Sequence, residues 1–167
     1  MPEAHSFSPI RTEQSFHVAL AYLATQAAFL SRAVLGRELP ADVLTIFAHD
    51  VDEYRLTEKL VRRHGPESPY THGATLYVDT DMPMCGQRIR LLGVRDCIGD
   101  AARPQVGYAD YVADDYQALR DSNNPCVHEI VSGRGQQLLE MRHPEFDILG
   151  YIVEREGHHD TRTKPGN

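Results

Sequence analysis

The sequence predicts an α+β fold: one or two long N-terminal helices packed on a mostly antiparallel sheet of about six strands, with a short helix between strands. Three observations predict it. Apolar residues from Phe16 to Val34 recur at alternating steps of four and three, the stripe of one helical face. Near Gly65 the apolar pattern changes from helical to two-residue periodicity. From Pro66 onward glycine and proline become frequent and the apolar runs shorten.

Taken in order, residues 1–11 with Pro2 and Pro9 read as a loose leader, 12–154 as a single α+β domain, and 155–167 as a polar, frayed tail. The first helix begins at Thr12, which caps it, and stops at Gly36. Its stripe is Phe16, Leu20, Leu23, Ala27, Leu30 and Val34. The segment 40–64 has two readings. A continuous helix places Val43, Phe47, Tyr54 and Val61 on one narrow arc and accounts best for the apolar pattern. A strand over Val43–Ala48 followed by a helix over Val51–His64 fits the β-branched and aromatic content.

Strands then follow at Ala74–Asp79 and Arg88–Arg95, joined by a turn through Asp81–Gly86, and at Gln105–Val112. A short helix over Asp114–Asp121, capped by Asp114, breaks at Asn123-Asn124-Pro125. Val127–Val131 and Gln137–Arg142 pair across Ser132-Gly133-Arg134-Gly135, and Ile148–Val153 is the last strand.

Composition excludes several classes. The 167 residues suit one domain, and 41% hydrophobic with 25% charged residues is ordinary for a globular chain. A formal net charge of −7 argues against nucleic acid, whose phosphates need compensating cations, and against a polybasic membrane contact. Val18–Leu35 is apolar enough to suggest a membrane span, but Gln26 and Arg32 lie inside it. The start, Pro2-Glu3-Ala4-His5, lacks the basic residues of a signal peptide, so a cytoplasmic protein is expected. The three cysteines, Cys85, Cys97 and Cys126, have no CxxC spacing and fit a reducing compartment, with Cys85 the most exposed thiol on its turn.

Chemistry-bearing residues are scattered. Nine histidines invite a metal search, but His49, Asp50 and Asp52, or His64 and His72, do not form a ligand set of known spacing, and no metal or other cofactor is expected. In the continuous-helix reading Asp50 falls on an apolar face, where a carboxylate with a raised pKa is a candidate general acid or base. Strand alternation is more concrete. Arg88 and Arg90 share a face with Leu92 and Val94, Tyr108 and Asp110 with Val106 and Val112, and Glu140 with Leu138 and Arg142. Polar groups interleaved with apolar ones line a concave ligand site, and an arginine there binds a carboxylate or phosphate. Arg88, Arg90, Tyr108, Asp110 and Glu140 are therefore the candidate ligand-binding residues. No catalytic residue is identified. Neither a Walker loop nor a GxSxG elbow is present.

The strand-then-helix reading makes residues 43–154 two tandem modules, and their wording resembles the vicinal oxygen chelate superfamily of glyoxalases, extradiol dioxygenases and antibiotic-resistance proteins. Leu44-Thr45-Ile46-Phe47-Ala48-His49-Asp50-Val51-Asp52-Glu53 is similar to that family's first strand entering its helix. Val106-Gly107-Tyr108-Ala109-Asp110-Tyr111-Val112 is similar to the opening of its second module, and His143-Pro144-Glu145-Phe146-Asp147 stands where the family has a turn before its last strand. The positions matching the family's metal ligands hold Val43, Tyr108 and Gly150, which do not supply the usual carboxylate or imidazole. The resemblance therefore implies a metal-free member.

The function expected is a small-molecule-binding protein with a pocket on the sheet face. Its alternatives are a metal-free enzyme acting on a small polar or anionic substrate, and a structural protein that associates through the first helix. That helix spans about 23 residues, roughly 35 Å. Its continuous stripe must be covered by the domain or by a second copy, so a homodimer with this helix in or near the two-fold interface is expected.

Overall fold

Residues 7 and 9–154 are described in the computed structural model of the chain. The tail expected over 155–167 and most of the leader lie outside them, but Phe7 and Ile10 are buried in the core. Helix α1 spans Glu13–Leu35. Thr12 caps it by accepting from the Ser15 amide, and Gly36 ends it in the left-handed conformation.

The segment 40–64 is strand then helix: β1 is Ala41–Ala48 and α2 is Val51–Val61. The continuous helix is therefore corrected. Every β1 residue from Val43 to Ala48 is buried, so the segment is apolar because both faces of the strand are covered. Asp50 caps α2 instead of lying inside a helix, accepting from the Glu53 amide at 2.9 Å.

Six further strands complete one sheet: β2 (Thr75–Met84), β3 (Gln87–Asp96), β4 (Gly107–Ala113), β5 (Val127–Val131), β6 (Gln137–Met141) and β7 (Ile148–Glu154). Short helix α3, Tyr116–Arg120, joins β4 to β5, and Asp114 does not cap it. The turn after β2 is tighter than expected, with only Cys85 and Gly86 at positive φ between the strands.

The order across the sheet is β2-β3-β1-β4-β7-β6-β5. Central β1 and β4 are antiparallel, but β1 runs parallel to β3 and β4 parallel to β7. The sheet is thus seven-stranded and mixed, not six-stranded and mostly antiparallel. The extra strand is β1, and it supplies one of the two parallel pairs.

The three helices pack on one face of this sheet. Their core joins Phe16, Leu20, Leu23, Leu30 and Val34 of α1 with Leu44, Ile46, Leu92, Val94, Tyr111 and Ile152. Length and composition alone would let α1 cross a membrane. Here its apolar stripe is covered by the sheet of its own chain, so covering it does not call for a second copy. Polar ties add to the packing. Tyr111 donates its hydroxyl hydrogen to the Ala27 carbonyl at 2.5 Å, and Gln87 donates to the Ala24 carbonyl while accepting from the Ala41 amide. Glu53, almost wholly buried, accepts from the amides of Ile10 and His49, tying the residues before α1 to the end of β1.

Close approach of α1 to the sheet depends on Gly107. A Cβ there would lie 2.2 Å from the Thr45 carbonyl oxygen and 3.0 Å from a Leu23 methyl. Backbone cannot yield by that distance without separating β1 from β4. Gly107→Ala is expected to destabilise the chain by roughly 1–3 kcal/mol, the usual range for overpacking. Gly133→Ala, where an added Cβ meets nothing, should stay within about 0.5 kcal/mol of the parent. Urea unfolding midpoints of the two variants check the contrast.

Candidate functional site

The face of the sheet away from the helices carries its own small core of Val43, Phe47, Tyr77, Leu91, Cys97, Tyr108 and Leu149. It is not an ordinary solvated face. One rung of the sheet explains its centre. Tyr77, Gly93, Thr45, Tyr108 and Leu149 stand in register on β2, β3, β1, β4 and β7. Gly93 leaves a gap in that rung, and the Tyr77 ring lies where its Cβ would be, 2.7 Å from two ring carbons. Tyr77 can therefore lean across β3, and its hydroxyl bonds that of Tyr108.

Aromatic contacts extend the row. Phe47 packs edge-on against Tyr108 at 5.7 Å, Tyr151 does so from the other side at 5.2 Å, and His72 stacks on Tyr77 at 6.1 Å. Burial pushes the Tyr77 phenol up to about 12 and the Tyr108 phenol well above the ordinary range, with the Asp110 carboxylate adding to both. Both hydroxyls therefore stay protonated at neutral pH, as hydrogen-bonding groups and not as bases. Thr45 Oγ1, buried beside them, finds no hydrogen bond of regular geometry, and neither does Arg95 Nε.

The expected site residues divide. Tyr108 lies at the centre of this face, and Asp110 is on the same face, opposite Val43 in register. Glu140 faces Tyr151 across the β6–β7 ladder, and its carboxylate accepts from Arg142 Nε at 2.5 Å. Arg88 and Arg90 do not join them. Both are exposed, with Arg88 paired to Asp81 at 2.5 Å and Arg90 to Asp42 at 2.7 Å. Strict alternation fails in β3, because Ile89 and Leu92 both enter the helix-side core across from a bulge between Asp79 and Met82. The sharing of a face with Leu92 and Val94 is thus corrected.

At the lower end of this face is a cavity of about 250 Å³ lined by Gln105, Arg142, His143, Pro144, Phe146, Ile148 and Leu149. Leu149 belongs to the aromatic core, while Ile148 and Phe146 pack in the helix-side core, so the cavity lies at the end of the sheet where the two meet. Gln105 Oε1 is buried without a hydrogen-bond partner. Arg142 is half exposed and held through Nε by Glu140. His143 Nδ1 accepts from the Glu145 amide at 3.2 Å. Tyr77, Thr45 and Gln105 were not among the expected site residues. The signal for Thr45 was parity: the strand reading of 43–48 puts it on one face with Val43 and Phe47.

No three His, Cys, Asp or Glu side chains converge among the described residues. His49 Nε2 contacts the Arg103 carbonyl at 2.8 Å, and Asp50 is bound by Arg11 at 2.6 Å. The Arg11 guanidinium, helped by the Glu53 amide, lowers the Asp50 carboxyl from 3.8 to about 2. A proposed acid or base with a raised pKa is therefore corrected to an ionised cap. Cys85 is exposed, while burial raises the Cys97 thiol.

No family model matches the chain, and no curated protein matches it. Among solved structures, the chain is similar to the structural-genomics target Protein EC4020, with a TM-score of 0.60 and 13% identity over 98% of this chain and 99% of that one. This likeness extends to the fold alone. A glyoxalase/bleomycin resistance protein/dioxygenase superfamily member from Vibrio splendidus 12B01 aligns with a TM-score of 0.42 and 10% identity, over 67% of this chain and 96% of that one.

Two outcomes follow from this geometry. Tyr77→Phe leaves the buried Tyr108 hydroxyl short of its partner and should cost roughly 1–3 kcal/mol in chemical denaturation. The Arg11–Asp50 pair stabilises the native state above the ordinary carboxylate pKa, and that stabilisation is lost as the pH falls through about 2. Asp50→Asn keeps a capping side chain, so it should lower the melting temperature at neutral pH and have a smaller effect in strong acid. Equal shifts at both pH values would contradict the charge assignment.

Proposed function

We propose that the chain is a small-molecule-binding protein whose ligand occupies the cavity at the lower end of the aromatic sheet face. The observation that carries this reading is the cavity itself, about 250 Å³, where the apolar Phe146, Ile148 and Leu149 meet the polar Gln105, Arg142 and His143. The surrounding Phe146, Ile148 and Leu149 supply apolar contact, and Arg142 and Gln105 supply orientation, the usual division of labour in ligand pockets.

A thermal-shift screen against small polar metabolites tests the reading, with Gln105→Leu as the control. One or more compounds should raise the melting temperature of the parent, because binding to the native state stabilises it. The shift should shrink in Gln105→Leu, which changes the polarity of a residue lining the cavity. A panel without effect on the parent, or shifts that persist unchanged in the variant, would count against the cavity.

A further inference from the structure

We infer that β5 is an association edge, where two copies of the chain pair antiparallel about a two-fold axis at Glu129 and join their sheets. This is independent of the cavity and of any small molecule. It starts from a difference between the two edges of the sheet. Strand β2 is protected along its length. Its first half is covered by the segment before it: Ser68 N–H bonds the Tyr77 carbonyl, Asp79 N–H bonds the Pro66 carbonyl, and His72 bridges to Thr75. Its second half carries a bulge between Asp79 and Met82, and then Pro83. Coverage, bulges and prolines are devices by which edge strands avoid pairing with other chains. Strand β5 has none of the three among the described residues.

The ladder with β6 fixes which groups of β5 face outward. Arg142 N–H bonds the Cys126 carbonyl and Ser132 N–H bonds the Gln136 carbonyl, so the even-numbered residues turn their backbone groups to β6. Val127, Glu129 and Val131 turn theirs to the edge. The Val127 N–H is taken by the Asn124 carbonyl. The N–H and C=O groups of Glu129 and Val131 have no backbone partner among the described residues. Val131 is also the most exposed large apolar side chain of these residues, at 66%.

The order of side chains selects a second copy as the partner. A two-fold axis between antiparallel strands brings residues equally far from it face to face. With the axis at Glu129, Val127 of each copy meets Val131 of the other, an apolar pair that covers the exposed valine. Glu129 then exchanges both backbone bonds with its counterpart, and each Val131 N–H reaches a free Val127 carbonyl. An axis at Ile130 would set Val131 against Glu129 instead. The chosen register also opposes two carboxylates, and like charges directly opposite are destabilising. Arg120 on α3 feels Glu129 but is held by Asp121 at 2.9 Å, so it does not neutralise the pair. With five residues in β5 and this repulsion at its centre, the association depends on concentration.

Sedimentation velocity and amide hydrogen exchange on the full chain, each over a wide range of concentration, test the edge. The parent should pass from monomer to dimer as its concentration rises. The Glu129 and Val131 amides should exchange about fivefold more slowly, or slower still, in the concentrated sample. Val131→Lys puts a charge on the edge and should weaken the dimer by about tenfold or more, with the urea midpoint unchanged. Val131→Pro removes an N–H that β6 does not use and should act in the same way. Glu129→Gln should strengthen the dimer by about threefold. A parent that stays monomeric at millimolar concentration would overturn the association. So would a dimer whose Glu129 and Val131 amides exchange as fast as in the monomer, since its interface then lies elsewhere. A dimer that Glu129→Gln weakens or leaves unchanged would overturn the two-fold register.

Discussion

The seating of α1 on the centre of the sheet is the contact on which the rest of the structure depends. Leu23 reaches the sheet beside Gly107, the first residue of β4, and Tyr111 on the same strand bonds the Ala27 carbonyl. These two contacts fix β4, the strand that joins the two halves through its antiparallel pairing with β1. Because all three helices occupy that face, the opposite face is released from core duty. It closes with aromatic side chains instead, and polar atoms are buried among them.

That division explains why the two faces differ chemically. The helix side is filled largely by aliphatic residues, with polar ties such as Gln87 bonded at both ends and Ser31 bonded to Ala28 and Leu39. Buried polar atoms without a regular hydrogen bond occur on both sides among the described residues: Thr45 Oγ1 and Arg95 Nε beside the aromatic row, Thr57 Oγ1 on α2 and the Tyr116 hydroxyl on α3. Natural cores rarely leave buried polar atoms unpaired.

Much of the fold was legible in the sequence, for identifiable reasons. Helix α1 has a side-chain cap at Thr12, a glycine stop and a regular stripe, so local and tertiary signals agree over its whole length. The 40–64 segment was ambiguous because a strand buried on both faces and an apolar helix arc look alike. Asp50 was the deciding residue: it reads as an interior polar residue in one case and as a cap in the other. Of the candidate site, Tyr108, Asp110 and Glu140 were placed by simple alternation, and they do share the aromatic face or its rim. Arg88 and Arg90 do not share a face with Leu92 and Val94 because the alternation of β3 shifts opposite a bulge, a tertiary feature that two-residue counting does not register. Tyr77 was invisible because it reaches Tyr108 only across the missing side chain of Gly93, on a strand whose neighbours the sequence does not state.

Strand direction accounts for the position of the cavity. In a parallel pair both strands begin at the same end, so the segments leading into β4 and β7 must enter side by side. The Val106 amide bonds the Asp147 carbonyl, which locks those two segments together just before the strands start. The end of antiparallel β6 arrives at the same point and brings Arg142 with it. Three chain segments therefore converge where regular backbone pairing is only beginning, and side chains, not ladder bonds, must fill the space. At the β1–β3 start the Gln87 amide fills it by bonding Ala41 and Ala24. At the β4–β7 start Gln105 lies outside the strand, its acceptor meets no donor, and the space remains open. Six of the seven residues lining the cavity belong to the Arg142–Leu149 stretch that carries β6 into β7, so the cavity lies between that connection and the segment entering β4.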